Sequence, residues 1–424
     1  MRRLRLLHIG DIHYPERYNE RLEDVKDKAL PSEVVEQMVQ IPLQAVVRQA
    51  ARELEADPVN GYLVSGDLTS KGSLKAYEEC LDFLLKAFTL KAVPQDRIHA
   101  VPGNHDFDRS LVDPVDPSKK FDQISAAWKS RGIPVLAVKG VRHTTIKLGS
   151  AAAAIYSLNS CLGCGEKRHL PNGVANELEA AISGYTSRVG LSKAFELVGE
   201  QLDSPGFVQQ EINDVFDSAR KLESQVVPLV LSHHNLLPQA LPRLEIYTEV
   251  MNAGRVRSAF TNVERTVLYC HGHIHDDVVE LVEIPGSNGS RMAAIAAPEL
   301  ARGFNIIQLE YGEKGTALGC KVLRFSYDWR SGQVTPRELR IPLNRLPYQR
   351  AISAGHAALK TILSKLKNEE YRFQAAFEKT KWPDDTNNRK RFADALEEAC
   401  WLGLVEISNS EREPDAWWIT KTAR

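Results

Sequence analysis

No stretch of this sequence is apolar for long enough to cross a bilayer: the run AAAAIY at 151–156 falls far short of the roughly 20 residues a spanning helix needs. Neither sign of charge is in surplus. With 54 Lys and Arg against 55 Asp and Glu the formal net charge is −1, which excludes the bulk basic field that draws a protein to nucleic acid or to an acidic membrane. Any such partner must be met by a local patch. Cysteine is scarce, six in 424 residues, too few for a disulfide framework and in keeping with a reducing compartment. Cys161 and Cys164 form one CxxC, but no second pair stands at zinc-finger spacing and no thioredoxin-like context surrounds it. A GxxxxGK phosphate loop is also missing. The opening MRRLRLLHIG has neither a long apolar core nor a small-residue cleavage site before a strand pattern begins, so a cytoplasmic protein with no membrane partner is expected.

What is there is an ordinary soluble composition, 43% hydrophobic and 26% charged, long enough for two or three domains. LRLLHIGD, GYLVSGD and RIHAVPGNHD read as strands. Between them SEVVEQMVQIPLQAVVRQAARELEA and LKAYEECLDFLLKAF read as helices, the order of an α/β core. Further strands are expected at TTIKLG, AAAIYSLNS, VVPLVLSHH, TVLYCHGH, RMAAIAA, FNIIQLEY and KVLRFSYDW. Polar residues gather where these strands end, the place where loops of an open α/β sheet converge on a ligand. A helical insertion is expected over about 165–203, either capping that site or standing as a solvated hairpin. The strand pattern stops after RFSYDWRSGQVTP, which predicts a domain boundary within 336–348.

CHGHIHD at 270–276 sets His271, His273 and His275 at every second position. In an extended chain they share a face, and Gly272 permits a sharp departure. Alone, such a pattern at a strand end is more often a satisfied polar group than a metal site. Four other segments share its position just after a strand: GDIH with Asp11 and His13, GD with Asp67, GNHD with Asn104 and His105, and SHHN with His233 and His234. Carboxylate, amide oxygen and imidazole together suit Mn, Fe or Zn rather than a thiolate site.

In the order DxH, GD, GNH[DE], H and GHxH these segments resemble the signature of the calcineurin-like metallophosphoesterases, over about residues 1–335. The resemblance implies an α/β fold, a β-sandwich flanked by helices, with a catalytic domain over 1–340. It also implies two divalent cations, manganese foremost and iron, zinc or magnesium as alternatives. Carried over position by position, it assigns one cation to Asp11, His13 and His275, a second to Asn104, His233 and His273, and Asp67 between them. Of the adjacent pair, His233 is the better ligand because it directly follows the apolar strand and a small residue; His234 then faces substrate. His105 is placed as general acid for the departing alkoxide, with Asp106 beside it as a catalytic partner or as a brace of the loop. His271 points elsewhere, and His8, inside the first strand, is a packed core residue. Two such cations activate water near neutral pH, polarise phosphoryl oxygens and orient an in-line attack. The chain departs from the GDxxDRG phosphatases, because Ser70 of GDLTSKG stands where those carry an aspartate that orients the catalytic histidine. That argues against a protein phosphatase and leaves Asp106 or Asp108 to replace it, or His105 to work with a lower pKa as a weaker acid.

SGDLTSKGSLKAYEECLDFL and VPGNHDFDR are similar to the branch with bacterial cyclic-nucleotide phosphodiesterases and, less closely, to a nuclease branch. From about 346 the chain is mostly helical. RKRFADALEEACWLGLVEIS, a polar turn and DAWWITKTAR give helix, short strand, turn, short strand, the order of a winged helix, so a small C-terminal domain is expected over 346–424. Its 13 Lys/Arg against 12 Asp/Glu lack the surplus that nucleic acid favours. The patch Asn388–Arg391 can still touch phosphate, and the alternative is docking to a protein partner or a second copy. Trp417 and Trp418 are expected as contact points or as filling of that domain's core. The function expected is a dinuclear-metal phosphodiesterase acting on a nucleotide or nucleic acid substrate. A nuclease for DNA or RNA comes first, since a cyclic-nucleotide enzyme needs no tail of this size. A 3',5'-cyclic-nucleotide phosphodiesterase comes second, and a non-catalytic metal-bound scaffold third.

Overall fold

Alternation along the first strand sets the architecture. Strand β1 (Arg2–Ile9) turns Leu4 and Leu6 to one side and Leu7 and Ile9 to the other, as the two-residue period of a strand requires. Both sides are apolar, so β1 must be covered twice. In the computed structural model of the chain, which describes residues 2–17, 42–113, 115–165, 203–237, 250–274, 279–283, 290–312, 315–343, 362–367, 369–401, 404–410 and 412–422, one face meets a second sheet and the other meets helices.

The first sheet comprises β1, β2 (Gly61–Val64), β3 (Ile98–Ala100), β10 (Gly303–Tyr311), β11 (Ala317–Asp328) and β12 (Gln333–Pro342), in the spatial order β12–β11–β10–β1–β2–β3. The second comprises β4 (Arg142–Leu148), β5 (Ala151–Ser157), β6 (Val226–Leu231), β7 (Thr266–His271), β8 (Glu280–Glu283) and β9 (Arg291–Ala296), in the order β4–β5–β6–β7–β9–β8. Leu4, Leu6, Ile155, Leu229, Leu268 and Ile295 fill the space between them. Helices α1 (Pro42–Ala56), α2 (Leu74–Ala87) and α3 (Asp122–Ser130) cover the first sheet with Val46, Tyr77, Leu81 and Trp128. Helices α4 (Gln209–Arg220) and α5 (Ala253–Thr261) cover the second with Ile212, Val215, Val256 and Phe260. The result is the β-sandwich flanked by helices that the motifs imply. Strands β1, β2 and β3 are mutually parallel, as are β5, β6, β7 and β9, so the loops leaving β1, β2, β3, β6 and β7 collect at one end of the sandwich.

Strand β12 extends the first sheet past the point where the sequence pattern stops. It pairs with β11 from Gln333 to Pro342 although it contains Pro336. A proline is tolerated because β12 is an edge strand, where a missing N–H costs no ladder bond. The insertion expected over about 165–203 falls, apart from its two ends, outside the described residues.

In the tail, β13 (Glu370–Arg372), α6 (Phe373–Lys379), α7 (Thr386–Trp401), β14 (Val405–Ser408) and β15 (Trp418–Lys421) follow in that order, and the three strands form a sheet ordered β13–β15–β14. Phe373, Phe377, Phe392, Leu396, Trp417 and Ile419 form its core. Trp417 is buried and donates from Nε1 to the Arg412 carbonyl at 2.8 Å, so it fills the core. Trp418 is half-buried under the Arg372 guanidinium, 4.9 Å away. A second face of α7 rests on the first sheet: a Cβ at Gly319 would lie 2.0 Å from the Trp401 indole, and Arg340 Nη1 donates to the Trp401 carbonyl. Among the described residues no helix is long and apolar enough to cross a membrane.

Candidate metal centre

The strand-end loops are tied to one another through their backbones. Asp11 N donates to Gly66 O (2.9 Å) and Ile12 N to Asp67 O (2.7 Å), joining the loops after β1 and β2. Gly272 N donates to His233 O (2.9 Å), joining those after β6 and β7. Two carboxylates complete the junction, Asp11 Oδ1 accepting from His273 N (2.8 Å) and Asp67 Oδ1 from His105 N (2.9 Å). Asp11, His13, Asp67 and His273 all adopt positive φ, at 52°, 50°, 51° and 66°. Left-handed backbone is uncommon outside glycine and costs energy. Four of the eight such residues among those described belong to this one cluster, so the surrounding structure holds these side chains where local preference does not.

Close approach explains the glycines. A Cβ at Gly272 would stand 2.4 Å from Asp11 Oδ2, so this position needs glycine for space, and the left-handed residue that turns the chain is His273. At Gly103 a Cβ would lie 1.9 Å from Asp67 Oδ1 and 2.3 Å from its backbone nitrogen. Gly103→Ala is therefore expected to displace Asp67 and to destabilise the fold by about 1–3 kcal/mol, as overpacking does. The check is a denaturant midpoint beside a Mn(II) titration, both of which should worsen.

Donor atoms converge in pairs and triples. The ligand atoms of Asp11, Asp67 and His233 lie within 4.8 Å of one another, as do those of His233, His234 and His273. His233 Nε2 is 2.9 Å from Asn104 Oδ1 and 3.3 Å from Asp67 Oδ2. His233 Nδ1 meets the Ser65 carbonyl at 2.8 Å, and a carbonyl only accepts, so Nδ1 carries a hydrogen. In a neutral His233, Nε2, the amide oxygen and the carboxylate then aim three lone pairs at one another. Positive charge is required between them. Without a metal the protein supplies it by protonation: burial lowers the His233 pKa, but Asp67 raises it to about 10, while Asp67, opposed by burial, is held well below the usual carboxylate range by His233, His105 and His13. A divalent cation fits this donor set and releases that proton. His273 is held neutral, down to about 3, by burial and then His233; His234 is driven well below its usual value by burial, His273 and His233. Neutral imidazoles keep a lone pair for a metal.

The structure thus brings Asp11, Asp67, Asn104, His233, His234 and His273 together. His13 joins through its N–H to Asp67 O (3.2 Å) and its ring lies 5.7 Å from that of His105. His275 lies outside the described residues. His234 Nδ1 is held by Ser160 Oγ at 2.8 Å, and its buried Nε2 has no hydrogen-bond partner among the described residues. His8 is fully buried, and burial, then His271, hold it neutral, down to about 3. Cys161 and Cys164 are buried free thiols, with Cys161 Sγ 3.7 Å from His234 Nδ1.

Asp106 spends its carboxylate on the loops. Oδ1 accepts from Leu68 N (2.7 Å) and Thr69 N (3.1 Å), and Oδ2 from Gly103 N (2.8 Å). Burial, then the Asp67 charge, push its pKa up to about 7 against the pull of those N–H groups. This is the geometry of a brace. Asp106→Ala strands three buried donors and is expected to cost about 2–4 kcal/mol of stability, read as a lower midpoint of denaturation. Among the described residues no carboxylate is hydrogen-bonded to the His105 ring. The His105 carbonyl is pinned instead, by Thr69 Oγ1 (2.7 Å) and Gly72 N (2.8 Å). Thr69, Ser65 and Ser160 escape sequence reasoning because a lone hydroxyl carries no motif.

Residues 4–160 match the family model described as calcineurin-like phosphoesterase. No curated protein sequence matches the chain. Among solved structures, a dimetal phosphatase from Danio rerio is similar at 15% identity and a TM-score of 0.45, over 80% of this chain and 98% of the other. A 5'-nucleotidase precursor from Thermus thermophilus is similar at 13% identity and a TM-score of 0.40, over 88% of this chain. The match spans 61% of that nucleotidase's length.

Proposed function

We propose, from the match of residues 4–160 to the calcineurin-like phosphoesterase model, that this chain is a dinuclear-metal-dependent phosphodiesterase acting on nucleotide-type diesters. The observation that carries the reading is the placing of Asn104 Oδ1 and Asp67 Oδ2 at 2.9 and 3.3 Å from His233 Nε2, a donor set that a proton or a cation must satisfy and that suits a divalent metal. By the resemblance, Asp11, His13 and His275, the last of which lies outside the described residues, would hold one cation and Asn104, His233 and His273 the other, with Asp67 available to both. Bound there, the pair lowers the pKa of water and stabilises charge on the phosphoryl oxygens. The chain's own residues do the rest. Asp67 fixes the backbone of His105, whose ring protonates the leaving alkoxide. His234, anchored by Ser160, turns its free Nε2 toward the substrate phosphate. Ser70, in place of the dyad aspartate of protein phosphatases, supports a diester substrate.

The tail bears on substrate size. We read it as a winged-helix module, but two arginines of its basic patch are engaged. Arg389 is paired with Asp384 (2.6 Å) and Asp415 (3.3 Å), and Arg391 lies 5.1 Å over the Trp382 ring. The face of α7 carrying Trp401 rests on the first sheet. These contacts favour a small nucleotide diester over a strand of DNA or RNA, reversing the order expected from the tail's length.

The test offers cyclic AMP, a chromogenic phosphodiester, single-stranded DNA, duplex DNA and RNA side by side with Mn(II), and repeats each with EDTA. Metal-dependent turnover of the small diesters is expected. Cleavage confined to strands, falling steeply with salt, would restore the nuclease reading. Lack of turnover on any substrate would leave a metal-bound scaffold.

A further inference from the structure

An asparagine serves a cation only through its oxygen, yet the two ends of its amide have almost the same shape. Asn104 is oriented from outside the donor set. Its Nδ2 donates to Asp203 Oδ2 at 3.0 Å, which leaves Oδ1 facing His233 Nε2 at 2.9 Å. Asp203 is itself gripped by a bidentate arginine. Arg109 Nη1 donates to Oδ1 at 2.6 Å and Nη2 to Oδ2 at 2.8 Å, a fork that fixes the plane of the carboxylate. Gly165 N adds a bond to Oδ1 at 3.1 Å, and Arg109 Nη2 reaches the Asn104 carbonyl at 3.3 Å. An ionised carboxylate only accepts. A reversed Asn104 amide would press Oδ1 against Asp203, with both residues buried.

We infer that Asp203 is a positioning residue that points the Asn104 oxygen at the second cation, with Arg109 setting Asp203 in turn. The inference rests on the reading of Asn104 as a ligand under the proposed function. It adds a residue 99 positions from Asn104, outside every signature segment. It also places the residues that flank positions 166–202, Gly165 and Asp203, in contact beside the centre.

A double-mutant cycle tests it on the full chain, stripped of metal and titrated calorimetrically with Mn(II). Asp203→Asn keeps the shape but leaves one oxygen, which the two donors Arg109 Nη1 and Gly165 N claim; an N–H group then faces Asn104 Nδ2, and the Asn104 amide turns over. Affinity at one of the two sites should fall by about tenfold to a hundredfold, the usual cost of losing such support, with the other site unchanged. A carboxylate presents oxygen whichever way it turns. In an Asn104→Asp background, where an oxygen already faces Asp203, the same Asp203→Asn change should therefore leave the affinity unchanged or raise it, the contrast a cycle isolates. Asp203→Leu, which also frees the amide, should repeat both results. An equal loss in both backgrounds, or none in either, overturns the positioning role. A wild-type chain that binds no pair of Mn(II) ions sinks the dinuclear reading itself and this inference with it.

Discussion

Asp67→Ala is expected to lower metal-dependent hydrolysis of a chromogenic phosphodiester by about a thousandfold or more in kcat/KM. The loss follows from how many tasks meet on this carboxylate. One oxygen accepts from His105 N at 2.9 Å and holds the backbone of the proposed acid. The other lies 3.3 Å from His233 Nε2, and in the proposed centre the carboxylate serves both cations. Its charge is what the pocket is built around: His233, His105 and His13 together outweigh the cost of burying it. Without it, the three imidazoles lose the anion that makes room for two divalent ions beside them. Metal-ion stabilisation of the transition state is worth several kcal/mol, and about 4 kcal/mol is a factor of roughly a thousand. The isosteric Asp67→Asn separates charge from shape. It keeps an oxygen for His105 N, so the circular dichroism spectrum should be unchanged while the Mn(II) stoichiometry falls below two. Retention of more than a tenth of wild-type turnover by both variants would remove Asp67 from the centre.

Much of this site is legible in sequence because Asp11, Asp67, Asn104 and His273 each follow a glycine just after a strand, and strand ends gather by topology alone. GDIH, GD, GNHD, SHHN and CHGH are separable signals, and the buried apolar runs of β1, β6 and β7 that precede three of them mark the strands whose ends they occupy. The parts that stay hidden share a physical cause. They depend on chain segments meeting, and no local pattern records a meeting. Gly272 reads as a hinge, but its missing side chain serves the approach of Asp11, and His273 takes the unusual backbone angle. Asp203 has no motif around it and acts on Asn104 through space. Strand β12 is masked by Pro336 and by the charges of RELR, which an exposed edge tolerates and a central strand would not. In the tail, the helix, turn and two strands are readable, whereas β13 is three residues long. The docking of Trp401 on Gly319 needs positions 82 apart in sequence to be seen together.

His105→Ala should produce a loss that depends on the leaving group, and this distinguishes a proton donor from a structural residue. For a diester that releases an alkoxide, general acid catalysis is worth about a hundredfold to ten-thousandfold, and kcat should fall by that order. For a diester that releases p-nitrophenolate, which departs without help, the same substitution should cost only a few-fold. A merely structural role would lower both rates alike. The geometry argues for the first outcome. The His105 ring is partly exposed, stands 5.7 Å from the His13 ring, and has no carboxylate bound to it among the described residues, while its backbone is fixed from three directions by Asp67, Thr69 and Gly72. The loop keeps its shape when the ring is removed, so Asp67 should stay in place and Mn(II) affinity should change little. Asp106→Ala supplies the contrast. Its carboxylate braces backbone N–H groups, so that variant should lose stability and both activities in equal proportion. If His105→Ala behaves in the same way, the departing oxygen takes its proton from solvent, and the role of acid passes from this residue to water.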